Sequence, residues 1–181
     1  MKQRAFTLIE LLVVVAIVAI LSAIAVPNFL EAQTRSKVAR AKADLRTIAT
    51  ALATYSVDHN VFPQTNFVPR FRRFRVLTTP IAYLSAVPDD PFKSIDSAAS
   101  GFRATANYAF GTMPLDAASR YALASDGPDR IPDSNPIQFY PGFSTDLFLG
   151  RVDGFDFMLY DPTNGTISRG DIFRASDFVP Q

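Results

Sequence analysis

The sequence predicts an α+β protein: one long N-terminal helix, membrane-spanning in its first half, packed by its second half on a small antiparallel β-sheet head. Three observations carry this reading. From Leu11 to Leu30 no residue is charged. From Val38 to Tyr55 apolar residues recur at steps of three and four, which lines them along one side of a helix. Beyond Asn60 that period is lost, and short aromatic and aliphatic runs alternate with Gly, Pro and Asp, the pattern of strands and turns. A chain of 181 residues provides for one ordinary domain and an N-terminal appendage.

The apolar run has the length to cross a bilayer core at about 1.5 Å per residue. Lys2 and Arg4 precede it, and the positive-inside tendency holds them in the cytoplasm while everything after Pro27 emerges on the far side. Three readings of this N-terminus differ in what they leave unexplained. A secretory signal cleaved after Ala23-Ile24-Ala25 fits the small-x-small rule, but its apolar run is long for such a segment and begins with an acid. A plain anchor leaves Glu10 and Pro27 as accidents. An acid beside hydrocarbon is costly and calls for a partner.

The third reading uses all of these residues. Basic residues followed by Ala5-Phe6-Thr7-Leu8-Ile9-Glu10 and an unbroken apolar helix resemble the N-terminus of type IV pilins and type II secretion pseudopilins. The resemblance implies a leader, residues 1–5, removed by prepilin peptidase between Ala5 and Phe6, and methylation of the new amine on Phe6. Ala5 stands where the family usually has glycine. Glu10 and Pro27 match the family's glutamate and helix-loosening proline. Methylation keeps the amine cationic, so Glu10 of one subunit is expected to neutralise Phe6 of its neighbour and to set their stagger. Residues 6–29 then form the membrane and filament-core helix, 30–60 its amphipathic continuation, and 61–181 the head.

Pro27 lacks the N–H that would bond back to Ala23, so the helix is expected either to bend or open there, or to begin anew at Pro27 after a short break. Past it, Val38, Ala41, Leu45, Ile48, Leu52 and Tyr55 form the core-facing stripe, with Arg35, Lys37, Arg40, Lys42 and Arg46 off it. The helix is expected to end between Asp58 and Asn60. There "YSVDHNVFP" resembles the end of the long helix in major pseudopilins and leaves His59 as a surface turn residue. No Gly-x-Ser-x-Gly context accompanies that single histidine, so the chain reads as no enzyme.

In the head, "FVPRFRRFRVL" interleaves Arg70, Arg72, Arg73 and Arg75 with aromatics. Such a segment can bind phosphates and stack bases, or it is a loop or edge strand with solvent-facing arginines; the second reading is favoured. Thr79 as N-cap and Pro80 behind it predict a two-turn helix stopping at Pro88. Its tail, Leu84 to Phe92, again resembles the major pseudopilins. Strands are expected at 106–110, 120–125 and 155–160, and Asn164-Gly165 predicts a hairpin flanked by Tyr160 and Ile167. Residues 134–154 fit no period and read as a surface insertion.

Residues 28–75 hold nine Lys/Arg against three acids, whereas 100–181 hold six Arg against ten Asp. Among those aspartates, "SDGPDR" resembles the calcium loop of the major pseudopilins, with Asp126 offering its carbonyl and Asp129 its carboxylate, and Asp171 matches a later acid of that site. Oxygen-only ligand sets suit calcium. Solvated turn aspartates are the alternative. No other cofactor is implied.

Together these features imply a structural subunit of a type II secretion pseudopilus. It would be inserted in the inner membrane with its head in the periplasm and polymerise with itself. Minor pseudopilins, prepilin peptidase and an inner-membrane assembly platform would be its partners. No phosphate-binding loop occurs, so any motor is another protein. The alternative is a minor type IV pilin displaying an adhesion or DNA-binding module.

Overall fold

Helix α1, Leu8–His59, is 52 residues long and sets the shape of the molecule. The computed structural model describes residues 6–65, 72–93, 107–113, 118–130, 160–161, 163 and 170–176. The leader, Arg70, most of the expected strand at 155–160, the Asn164-Gly165 turn with Ile167, and the 134–154 stretch lie outside them. Thr7 starts α1 as N-cap, and Asn60 ends it in the left-handed conformation at φ 60° with its N–H on the Ser56 carbonyl at 2.8 Å. Asparagine tolerates that conformation better than most residues, because its short polar side chain can bond locally.

Pro27 does not open the helix. Assignment is continuous from Leu8 to His59 with Pro27 inside, so neither the opening nor the restart expected there is found. One missing N–H is a local cost, and propagation on both sides adds a bond for each residue fixed. The hydroxyls of Thr34, Thr47, Thr50 and Thr54 each donate to the carbonyl four residues back, which satisfies them without solvent.

The buried side of α1 is Val38, Ala41, Leu45, Ile48, Ala49, Ala51 and Leu52. It packs on a three-stranded antiparallel sheet of order β1-β2-β3, formed by Ala109–Met113, Arg120–Ser125 and Ile172–Ala175. Phe110 lies opposite Leu123, and Leu123 opposite Arg174. Alternation then splits the strands between two faces. Tyr108, Phe110, Tyr121, Leu123 and Ile172 join the helix core, whereas Ala122, Ala124, Phe173 and Ala175 make a second buried cluster.

Three expectations in the head need correction. β1 begins three residues later than the apolar run, because Asn107 is held elsewhere: it bridges Asp89, and its amide reaches the Pro88 carbonyl and the Asp89 carboxylate. β3 falls in a segment read only as a loop, since four residues give no period to recognise. Residues 79–88 form no helix. A 3-10 turn, Arg75–Leu77, precedes them, the Thr79–Pro80 bond is cis, and the Leu84 N–H bonds the Leu77 carbonyl at 2.9 Å. That arrangement buries Leu77 and Leu84 together in the core, and burial outweighs the local helix signal.

Polar ties orient the helix on the head. The buried Tyr108 hydroxyl donates to Asp44 at 2.8 Å, and Asp44 also faces Arg40 at 3.7 Å. Burial and the Asp44 carboxylate both push the Tyr108 hydroxyl well above the usual phenol range. Lys42 sits 5.7 Å over the Tyr160 ring.

Candidate functional site

The N-terminal end of α1 is where the sequence concentrates its unusual chemistry. Thr7 and Glu10 form a capping box: the Glu10 N–H donates to Thr7 Oγ1 at 3.3 Å, while Glu10 Oε2 accepts from the Thr7 N–H at 2.9 Å and the Thr7 hydroxyl at 2.7 Å. Two backbone donors that the first turn would leave orphaned are thereby satisfied. Glu10 therefore has a partner within its own chain, which the charge argument overlooked. The signal was present as Thr7-Leu8-Ile9-Glu10, a Thr-x-x-Glu string before an apolar run.

Phe6 stands directly before this cap and is 76% exposed. From Leu8 to Leu30 the large apolar side chains are between 52% and 77% exposed, so nothing in the single chain covers them. Soluble monomers rarely expose so long an apolar surface. Among the described residues α1 is the one helix long and apolar enough to cross a membrane. Phe6 and Glu10 are thus four residues apart at the start of a helix whose following apolar side chains are uncovered. A carboxylate there can fix a helix start and also receive a cation.

At the other end of the molecule the structure brings together the loops that hold the aspartates. Ser125 pairs with Ile172, so Asp126 and Asp171 leave the ladder side by side. Gly127, at φ +70°, packs so closely that a Cβ would stand 2.5 Å from the Gly170 carbonyl oxygen. Asp126 and Asp171 are buried and Asp129 is half-buried. Among the described residues, however, no group of three or more Asp, Glu, His or Cys is arranged to hold a metal ion.

Asp90 holds this junction. Its carboxylate accepts from the Ser125 hydroxyl at 2.8 Å, the Phe92 N–H at 3.0 Å and the Asp126 N–H at 3.3 Å. Burial raises its pKa, aided by the nearby Asp126 charge, against the hydrogen bonds from Phe92 and Ser125, which lower it. In the sequence Asp90 stands only as part of the Leu84 to Phe92 tail that resembles the major pseudopilins, with no role assigned to it.

The arginine segment does not present one solvent-facing row. Arg72 and Arg75 are exposed, but Arg73 is half-buried and donates to the Phe110 carbonyl at 2.6 Å. His59 is exposed at the last helical position, with its ring stacked on Tyr55 at 4.0 Å. Nearby the Tyr83 hydroxyl donates to Asp58 at 2.9 Å.

Comparison with known proteins agrees with this concentration at the N-terminus. Residues 1–26 match the family model described as the prokaryotic N-terminal methylation motif. Over 54 residues, 30% of this chain and 24% of the relative, the chain is 52% identical to the type IV major pilin protein PilA of Myxococcus xanthus. Over 64 residues, 35% of this chain and 45% of the relative, it is 44% identical to the type II secretion system core protein G of Pseudomonas aeruginosa. The Escherichia coli core protein G is 35% identical over 65 residues, again 45% of the relative. The chain thus spans less than half the length of these relatives. No solved structure matches it. A long N-terminal helix with an apolar span, set on a three-stranded antiparallel sheet, is a type IV pilin-like α+β arrangement.

Proposed function

We propose that this chain, which carries the type IV prepilin methylation motif, is a structural subunit of a type II secretion pseudopilus. Prepilin peptidase cuts between Ala5 and Phe6, the Phe6 amine is methylated, and subunits leave the inner membrane to polymerise with their heads in the periplasm. The observation that carries this reading is the uncovered apolar surface from Leu8 to Leu30 with Glu10 at its polar end. In the bilayer lipid covers that surface, and in a filament the same helix of other copies does. As water is excluded, Glu10 of one copy and the cationic amine on Phe6 of the next attract more strongly. Each removes the other's need for solvent.

The capping box adds a step. Oε2 of Glu10 is engaged by Thr7, so the carboxylate is already oriented before a neighbour arrives. Glu10→Gln tests the charge alone, because glutamine at this position can keep the reciprocal cap. Chains with this substitution are expected to insert and be processed normally but to form no filaments. Normal filaments from that variant would defeat the proposal, and mass spectrometry of the mature chain should find a methylated Phe6 at its start.

A type IV pilus is the second reading, favoured by the 52% identity to a major pilin over the N-terminal segment. Both readings use the same helix. They part in the consequence of deletion: loss of a secreted protein with surface pili unchanged fits the pseudopilus, and loss of surface pili with secretion intact fits the pilus.

A further inference from the structure

Two outward backbone groups of β1 are occupied by side chains. In an antiparallel strand the N–H and C=O of one residue point to the same side, and the side alternates along the chain. The Thr112 N–H donates to Thr65 Oγ1 at 3.1 Å, and the Phe110 carbonyl accepts from Arg73 at 2.6 Å. Phe110 and Thr112 therefore turn their backbone groups away from β2, toward the edge. The Thr65 N–H returns a bond to Thr112 Oγ1 at 3.3 Å, and Phe74 stacks on Phe110 with ring centres 5.2 Å apart. Although β1 is the terminal strand among the described residues, Phe110 and Thr112 are only 2% and 1% exposed.

An edge strand with free N–H and C=O groups is a template for pairing with another chain. The hazard grows with local concentration, which rises steeply for subunits held side by side. We propose that Thr65 and Arg73 are an edge guard, occupying the Thr112 N–H and the Phe110 carbonyl on the outer side of β1 so that the heads of two copies cannot join sheet to sheet. Assembly is then left to the N-terminal helix. The inference goes beyond the filament reading, since it concerns a contact between copies that the head itself prevents, with or without a filament.

The test uses the full chain in detergent micelles with Thr65→Val and Arg73→Met combined, substitutions close to the originals in size that remove both guards. Near-ultraviolet circular dichroism reports the fold, light scattering across a dilution series reports association, and the amide I infrared band reports intermolecular β-structure. The double variant is expected to keep its native spectrum, to associate at about a tenfold lower concentration than the parent, equivalent to about 1.4 kcal/mol, and to show the intermolecular band. Arg73→Lys with Thr65 intact, which retains a cationic donor, should behave as the parent does. Native double-variant chains associating no more readily than the parent would overturn the guard. Loss of the native spectrum would also overturn it, by making the two side chains supports of the fold.

Discussion

Replacing Gly127 with alanine should destabilise the head. Gly127 sits at φ +70°, where an L side chain crowds its own backbone at a cost of about 1–2 kcal/mol. The new Cβ would also lie 2.5 Å from the Gly170 carbonyl oxygen, with the Gly170 carbonyl carbon at 3.5 Å. Ordinary van der Waals contact begins about 1 Å farther out, and the atom in the way is backbone that opens the run into β3, so relief requires moving one loop off the other. Adding a displaced turn to the conformational cost gives about 2–4 kcal/mol, toward the upper end of what single substitutions usually cost. Urea unfolding of the full chain in detergent, followed by tyrosine fluorescence, reads this as a lower midpoint at unchanged slope. Gly127→Asn separates the two causes, because asparagine tolerates the left-handed conformation but still carries a Cβ. If contact with Gly170 dominates, the Asn and Ala variants fall together; if backbone conformation dominates, Asn is milder. An alanine variant as stable as the parent would refute the packing of these loops.

Other substitutions test other parts of the structure. Leu52→Ala removes a fully buried side chain from the seam between helix and sheet and should cost about 2–5 kcal/mol in the same assay. Tyr108→Phe deletes the bond to Asp44 and should cost about 1–3 kcal/mol, with the penalty reduced when Asp44 is also changed to Asn. Asp90 has a folded pKa raised by burial, so the folded chain binds its proton more tightly than the unfolded one; its contribution is greatest below the unfolded pKa and is lost as pH rises through the folded value. Replacing Asp90 with Asn should therefore flatten the fall in stability expected between acidic and neutral pH, measured as melting temperature against pH. Thr7→Val removes the hydroxyl bonds of the capping box and should weaken filament formation less than Glu10→Gln, measured by imaging filaments, since the charge remains and the backbone N–H of residue 7 still holds Glu10 Oε2.

The long helix and its buried stripe were legible from residue order, because a helix writes its core contacts at steps of three and four wherever they fall. Val38, Ala41, Leu45, Ile48 and Leu52 are buried where that period places them. The strand at 120–125 was equally legible, as a compact apolar run bounded by polar residues. Glu10 could be picked out by its position in an apolar stretch, yet its bond to Thr7 went unread because the search was for a partner outside the chain. At Pro27 the helix neither opens nor restarts, because one missing N–H is a local cost in a helix continuous on both sides.

The amino-acid order by itself determined the helix, its apolar half and the family its first residues resemble, all of which depend on neighbours within a few positions. Only tertiary structure decided that Arg73 turns inward to Phe110, that Asp90 ties down the turn at Asp126, and that Gly127 meets Gly170. Those pairs stand between 36 and 43 positions apart in the chain. No local period encodes such contacts, because they arise when burying Phe74, Phe110, Leu123 and Ile172 around one helix brings distant segments against the sheet.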